Sequence, residues 1–336
     1  MGVDGRVATF IFTPGTPTCC GDPLNPSCSI SPRYAPQNRK SPINAYLVDG
    51  PNVLVDKSRH PISSEISPAT FGNMARDGGN LLVEVDEYDE VMSDPVAAKY
   101  VRPFRGSREL MNGLDRWCLW LVDVAPSDIA QSPVLKKRLE AVKSFRADSK
   151  AASTRKMAET PHLFGQRSQP DTDYLCLPKV VSERRSYFTV QRYPSNVIAS
   201  DLVFHAQDPD GLMFALASSS MFITWQKSIG GRLKSDLRFA NTLTWNTFPV
   251  PELDEKTRQR IIKAGKKVLD ARALHPERSL AEHYNPLAMA PELIKAHDAL
   301  DREVDKAFGA PRKLTTVRQR QELLFANYEK LISHQP

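Results

Sequence analysis

Pro249-Val250-Pro251 divides the chain into two textures. Behind it, Asp254 to Ala273 spaces Ile261, Ala264, Val268 and Ala271 three or four residues apart, which is one face of a helix. Pro291 to Phe308 repeats the pattern with Leu293, Ala296, Leu300, Val304 and Ala307, and Gly309 supplies a stop. Thr316 to Ile332 opens with Thr-x-x-Gln, a capping box, and carries Leu324, Tyr328 and Leu331. Residues 251–336 are therefore expected to form an all-helical C-terminal domain.

Ahead of Pro249 the reading is mixed. Short strand-like runs alternate with loops at Tyr46–Val48, Asn52–Val55, Asn80–Val85 and Trp117–Val122, then at Tyr174–Leu177, Tyr187–Gln191 and Leu202–Ala206. Asp86–Met92 reads as a short acidic helix. Ser132 to Lys150 reads as a longer one, with Ser132 as cap, Pro133 at the first position, and Leu135, Leu139, Val142 and Phe145–Arg146 on one side. Ser218 to Ile229 is a further helix ended by Gly230-Gly231, and Arg232 to Thr247 is short and irregular. The fold class expected is α+β, with a mixed domain over 43–250. Residues 1–42 stand apart: Val7–Phe12 reads as a buried strand, and Pro14 to Pro42 is an aperiodic Pro, Cys, Ser and Asn stretch, a linker or long loop.

The chain has 336 residues, about two domains at ~150 residues each. With 41% hydrophobic residues it can bury real cores, which excludes disorder of the whole chain. Five cysteines exclude a disulfide scaffold and fit a reducing compartment. The longest uncharged apolar run, Gly211 to Gln226, is shorter than the ~20 residues of a membrane span, and no secretory signal or lipidation motif is found. The expectation is a cytoplasmic protein without membrane contact. The net charge is only +6, but Lys136 to Lys156 alone holds eight basic and two acidic residues, while Glu84 to Asp94 holds six acids and no base. A polyanion would meet particular faces of this molecule rather than its whole surface.

Catalytic motifs are absent. There is no Gly-x-Gly-x-x-Gly, no phosphate loop and no His-Glu-x-x-His. Asn25-Pro26-Ser27-Cys28 has Ser and Cys where an amino-methyltransferase loop needs Pro and a base-stacking aromatic. Cys19-Cys20 and Cys28 lack metal spacing, and Pro170-Asp171 is followed by no acid-x-Lys pattern. His297 falls on the apolar side of its helix, as a core histidine does.

Two places concentrate cations and hydrogen-bonding groups. Lys179 to Tyr187 offers Arg184 and Arg185 as phosphate clamps, with Ser182 and Tyr187 as hydroxyl donors; a solvated turn between strands reads the same way. Gly230 to Asn241 offers Arg232, Lys234, Asp236 and Arg238. In an extended segment Lys234 and Asp236 point the same way and can reach one base pair together, lysine for the guanine acceptors and aspartate for the cytosine amine. An intrachain salt bridge is the competing reading. The basic helix 254–273, with Lys256, Arg258, Arg260, Lys263, Lys266, Lys267 and Arg272, serves either DNA backbone or docking.

From about residue 43 to 309 the chain resembles the MmeI-like family of fused restriction–modification enzymes. The resemblance is carried by Ile43–Asp49, Phe71-Gly72-Asn73-Met74, Asp77–Leu82, Trp117–Val122, Thr154-Arg155-Lys156, Glu159-Thr160-Pro161, Asp173-Tyr174-Leu175, Ser182-Glu183-Arg184-Arg185, Val197–Ser200, Gly231–Asp236 and Ala296–Asp301. It implies the target recognition domain and C-terminal helical region of an adenine-specific DNA methyltransferase. The family's cofactor-binding glycines and Asn-Pro-Pro-Tyr loop belong upstream and are not in this sequence, and Pro14–Pro42 does not match the family. Val7–Phe12 looks like the last strand of a methyltransferase domain, left as a stub.

The resemblance implies sequence-specific binding of double-stranded DNA, positioning it for adenine-N6 methylation. S-adenosylmethionine would be held by a methyltransferase domain or subunit, with no cofactor, metal or catalytic residue in this chain. It further implies Lys179, Asp201, Leu202, Lys234, Asp236 and Arg238 at base edges. Arg155, Lys156, Ser182, Arg184, Arg185 and Arg232 are expected at the DNA backbone. Two Lys/Asp sets would then read at least two G·C pairs. A decayed remnant acting only in protein interaction, and a subunit serving a separate catalytic chain, are the competing expectations.

Overall fold

The computed structural model describes residues 44–46 and 53–333. The expected strand Val7–Phe12 and the stretch Pro14–Pro42 lie outside them. In chain order the elements are β1 (Ala69–Phe71), β2 (Leu82–Val83), α1 (Tyr88–Ser93), β3 (Val101–Arg105), α2 (Ser107–Asn112) and β4 (Trp117–Leu119). Then come α3 (Pro126–Gln131), α4 (Pro133–Ala147), α5 (Ala152–Lys156), β5 (Tyr174–Pro178), β6 (Val180–Val181), β7 (Gln191–Tyr193), β8 (Ile198–Ala199) and β9 (Val203–Gln207). The remainder is α6 (Leu212–Ala217), α7 (Ser220–Ile229), β10 (Gly231–Leu233), β11 (Asp236–Arg238), α8 (Glu255–Ala273), α9 (Leu280–His283), α10 (Pro291–Ala307) and α11 (Val317–Ser333). The chain is α+β, a mixed part followed by helices.

The strands form three small sheets, ordered β1-β9-β5-β7, β10-β11-β6 and β2-β4-β3-β8. The first two are antiparallel, and the third adds one parallel pair, β3 with β8. β5 reads Tyr-Leu-Cys-Leu-Pro and is buried along its whole length, as a strand paired on both edges and covered on both faces must be. Its Cys176, like Cys118 of β4, is a free, buried thiol.

One apolar core runs from Val55 to Tyr328 across Val250, joining the first sheet to α6, α7, α8, α10 and α11. Gly265 makes part of this possible. A Cβ there would stand 2.6 Å from the Cβ of Ala215, so only glycine lets α8 lie this close to α6. Asp301 of α10 accepts from the Ser220 N–H at 2.7 Å and its hydroxyl at 2.6 Å, bonding α10 to the start of α7. A second core lies under β2, β3, β4 and α4, built on Leu81, Val83, Phe104, Leu119, Leu135, Leu139 and Val142.

Sequence patterning placed several of these elements. Ser132 caps α4 by accepting from the Leu135 N–H, and Pro133 is its first residue. The Thr316 and Gln319 side chains exchange hydrogen bonds with each other's backbone ahead of α11, as the capping box requires. Other expectations fail. Tyr46 lies in a turn, with Leu47 and Val48 outside the described residues, and Val53–Val55 is not a strand. The strand expected at Tyr187–Gln191 begins at Gln191. α6 went unseen because all six of its residues are buried, which leaves no period to read. Arg232 to Thr247 is not irregular: it holds the β10–β11 hairpin and one π-helical turn, Asn241–Trp245.

Residues Phe145 and Arg146 exchange roles. Phe145 is exposed, whereas Arg146 is fully buried and donates to five carbonyls, those of Ala75, Arg76, Met157, Thr160 and Leu163. A guanidinium has five N–H donors, so this one is fully used as an internal clamp.

Candidate nucleic-acid interface

Three stretches far apart in sequence meet at the seam between the first and second sheets. Lys179 follows β5 directly, and its carbonyl accepts from the Phe239 N–H at 2.9 Å. Val180 and Val181 then pair with Arg238 and Leu237, so the loop after β5 is bonded to the hairpin. On the other side, the Lys179 ammonium stands 4.9 Å from the ring centroid of Phe71.

Phe71 ends β1, and the next residues fix the third stretch. The Gly72 N–H donates to Val203, the Asn73 N–H to Ala199, and the Asp201 N–H to Asn73, at 3.2, 2.7 and 2.9 Å. Asp201 and Leu202 are thereby held in the corner between β8 and β9, Asp201 half-buried and Leu202 exposed. Lys179, Asp201 and Leu202 are thus tied to one short segment, Phe71–Asn73.

The hairpin alters one expectation. Leu233 pairs with Asp236, which leaves Lys234 and Ser235 as a two-residue turn, and Lys234 takes a φ of +55°. Lys234 is therefore not extended, and alternation along a strand does not place it beside Asp236. It sits exposed at the tip. Nor do the two form an ion pair; instead the Asp236 carboxylate accepts from the Glu183 N–H at 3.4 Å. Asp236 and Arg238 do share a face of β11, with Leu237 between them turned into the core. The Gln226 amide holds the Arg238 carbonyl at 3.0 Å, fastening the hairpin to α7. Arg232 lies 3.3 Å from Glu183 and bonds the Ser235 carbonyl, closing the turn.

The residues expected at the DNA backbone separate into two groups. Arg184 and Lys156 are exposed and make no ion pair or side-chain hydrogen bond to the described residues. Ser182 is half-buried, and its carbonyl accepts from Arg185 across a tight turn. Arg185 points inward to the Thr189 hydroxyl (3.0 Å) and the Leu280 carbonyl (3.4 Å), and burial lowers its pKa. Arg155 donates to the carbonyls of Ser149 and Lys150, which follow α4.

Tyr187 is not available as a hydroxyl donor at the surface. It is buried and stacks on His297 at 3.7 Å. His297 is itself buried, hydrogen-bonded to the Tyr284 hydroxyl at 2.8 Å, and burial holds its pKa well below the usual imidazole value. On α8, Arg258 pairs with Glu65 and Asp210, Arg260 with Glu303, and Arg272 is buried against Val190, Gln191 and Tyr284. Lys256, Lys263, Lys266 and Lys267 remain exposed. Among the described residues no group of three or more His, Cys, Asp or Glu is placed to hold a metal, and no helix is long and apolar enough to cross a membrane.

Sequence reading missed Phe71 and Gly72 as parts of this face, because β1 is too short for a strand pattern. It also missed Glu183 and Gln226, whose roles arise only after the hairpin has docked.

Comparison with known proteins follows the same division. The family model for the MmeI target recognition domain matches residues 49–252, and that for the MmeI C-terminal domain matches residues 253–334. DNA methyltransferase A of Bacillus subtilis (strain 168) is 35% identical over 292 residues, a match covering 87% of this chain and 33% of that protein. The solved structure of the Type IIL restriction–modification enzyme MmeI in complex with DNA is 39% identical, with a TM-score of 0.78, over 87% of this chain and 39% of its own. The chain thus spans about a third of the length of the curated relative.

Proposed function

Because the chain belongs to the MmeI family of restriction–modification enzymes, of which it carries the target recognition and C-terminal domains, we propose that it reads a specific duplex DNA sequence. In this reading it positions that DNA so that a methyltransferase part of the enzyme can flip out an adenine and methylate its N6. S-adenosylmethionine would be the methyl donor, bound by that catalytic part. This sequence has no glycine loop suited to the cofactor, so no step of methyl transfer is assigned to its residues. The setting would be the cytoplasm, where chromosomal DNA is the substrate.

The observation that carries the reading is the convergence of Lys179, Asp201 and Leu202 with the β10–β11 hairpin at one seam. Lys179 with Asp201 and, on the family resemblance rather than on strand alternation, Lys234 with Asp236 would each supply a cation for guanine O6 and N7 and a carboxylate for cytosine N4. Leu202 would touch an apolar base edge, and Arg238 would add a second cation beside Asp236. Arg184 and Lys156 would bind phosphates; Arg155, Arg185, Ser182 and Arg232 would contribute mainly by shaping the turns that present them.

The test is selection from a random duplex pool by the full chain. The expected result is one enriched sequence with at least two G·C pairs. Binding without any sequence enrichment would contradict the reading.

A further inference from the structure

Lys179 makes no ion pair and its ammonium no hydrogen bond to the described residues; the contact that orients it is the ring of Phe71, 4.9 Å away. A lysine is a compact charge on a flexible four-carbon stem, so an unsupported one samples many positions. The ring is itself firmly seated, packed on the buried Phe204 at 4.2 Å between centroids, yet it remains 45% exposed at the end of its strand. Two residues on, the Asn73 carbonyl accepts from the Asp201 N–H at 2.9 Å. One segment, Phe71–Asn73, therefore holds the cation through an aromatic face and the backbone of Asp201 through its main chain, while the Asp201 carboxylate itself accepts from the Ser200 hydroxyl at 3.4 Å.

The geometry points to Phe71 as the positioning residue for the Lys179–Asp201 set: its ring fixes where the ammonium stands relative to the carboxylate, and so which orientation of one G·C pair is accepted. This rests on the reading proposed above, in which Lys179 contacts a base. Phe71 need not touch DNA for this role. The attraction of a cation to an aromatic face at an exposed site corresponds to about a two- to fivefold change in an equilibrium.

The experiment measures binding of the full chain to the selected duplex and to each single base-pair change of it, at several salt concentrations. The variants are Lys179→Ala, Phe71→Leu, Phe71→Met and Phe71→Tyr. Leucine and methionine keep apolar cover on Phe204 without an aromatic face, and tyrosine keeps the face. Expected is a loss of about two- to fivefold in discrimination with Phe71→Leu or Phe71→Met, confined to the base pair at which Lys179→Ala loses discrimination. The salt dependence should be unchanged, and Phe71→Tyr should behave as the parent.

Discrimination lost with Lys179→Ala but kept in both ring-less variants would overturn the role of Phe71 and leave the reading of Lys179 standing. An equal loss toward every duplex in the ring-less variants would overturn it too, since it would mark a general contact or a damaged fold. If Lys179→Ala alters no base pair, or no sequence is selected, both fall together.

Discussion

A Cβ placed on Gly72 would stand 2.1 Å from the carbonyl oxygen of Ser200. The contact is with backbone, which cannot rotate away, and the two segments are bonded on both sides of it by Gly72 to Val203 and Asn73 to Ala199. Gly72→Ala must therefore pry the end of β1 from the corner that carries Asp201. Overpacking of this kind costs about 1–3 kcal/mol. Chemical denaturation should show a loss of that size, accompanied by weaker sequence discrimination; a variant as stable as the parent would mean the two segments separate freely.

Arg146→Lys should be among the most destabilising conservative changes in the chain. Lysine has three donors where the guanidinium uses five, so at least two of the five bonds are lost; the carbonyls of Ala75, Met157 and Thr160 keep a backbone N–H donor, whereas those of Arg76 and Leu163 have no other among the described residues. Each buried orphan costs about 1–3 kcal/mol. The exposed neighbours Lys136 and Lys143, changed to alanine, should shift stability by no more than about 0.5 kcal/mol. Urea unfolding of the three variants separates the internal clamp from the solvated charge on the same helix.

Arg184→Ala and Lys156→Ala should weaken binding to all duplexes alike, each flattening the dependence of log K on log salt by roughly 0.9. Neither should lower the melting temperature, because neither side chain has a partner among the described residues. Arg185→Ala should behave differently. It removes the donor to the Thr189 hydroxyl and one of the two donors to the Leu280 carbonyl, so a stability loss should accompany any loss of binding. Titrations at several salt concentrations alongside thermal melts decide between the two behaviours.

His205 makes stability depend on pH. It lies between the Thr70 and Ser168 hydroxyls, and burial pulls its pKa from 6.5 down to about 4. Above pH 6.5 the imidazole is neutral whether the chain is folded or not. As the pH falls from 6.5 to 4, the unfolded chain takes up a proton that the folded chain refuses, so this group's contribution to stability is lost through that window. It amounts to about 3 kcal/mol at most. The deficit of His205→Gln relative to the parent should therefore shrink between pH 7 and pH 4, as read by denaturant unfolding at each pH. A constant deficit would show that His205 does not titrate differently in the two states.

How much of this was legible in the sequence depended on exposure. α4, α8, α10 and α11 each have one buried and one wet face, so Leu135, Val268, Leu300 and Leu324 mark them by spacing alone. β5 showed as a short apolar run. α6 has no wet face, and Phe214 among its neighbours carries no period. The hairpin was hidden for the opposite reason: its edge strand Gly231–Leu233 is exposed throughout, and Lys234 rather than Gly or Asn occupies the positive-φ position of its turn. At the candidate interface, residue chemistry suggested Lys234 and Asp236, and family resemblance added Lys179, Asp201 and Leu202. What joins these residues lies in pairings of two or three residues and in the space a missing Cβ leaves at Gly72, neither of which has a sequence period.

The central claim, that the hairpin tip reads a base pair, is tested most directly by exchanging its charges. Site selection from a random duplex pool should be run with the parent chain and with Lys234→Glu combined with Asp236→Arg, fused to a catalytic domain if enrichment requires it. Donor and acceptor trade places in the double variant, so one selected position should reverse from G·C to C·G while the others stay. Either change alone should cost about 1–3 kcal/mol toward the parent's sequence. An unchanged selected sequence in the double variant would contradict the account: Lys234 and Asp236 would then be surface charges that no base meets.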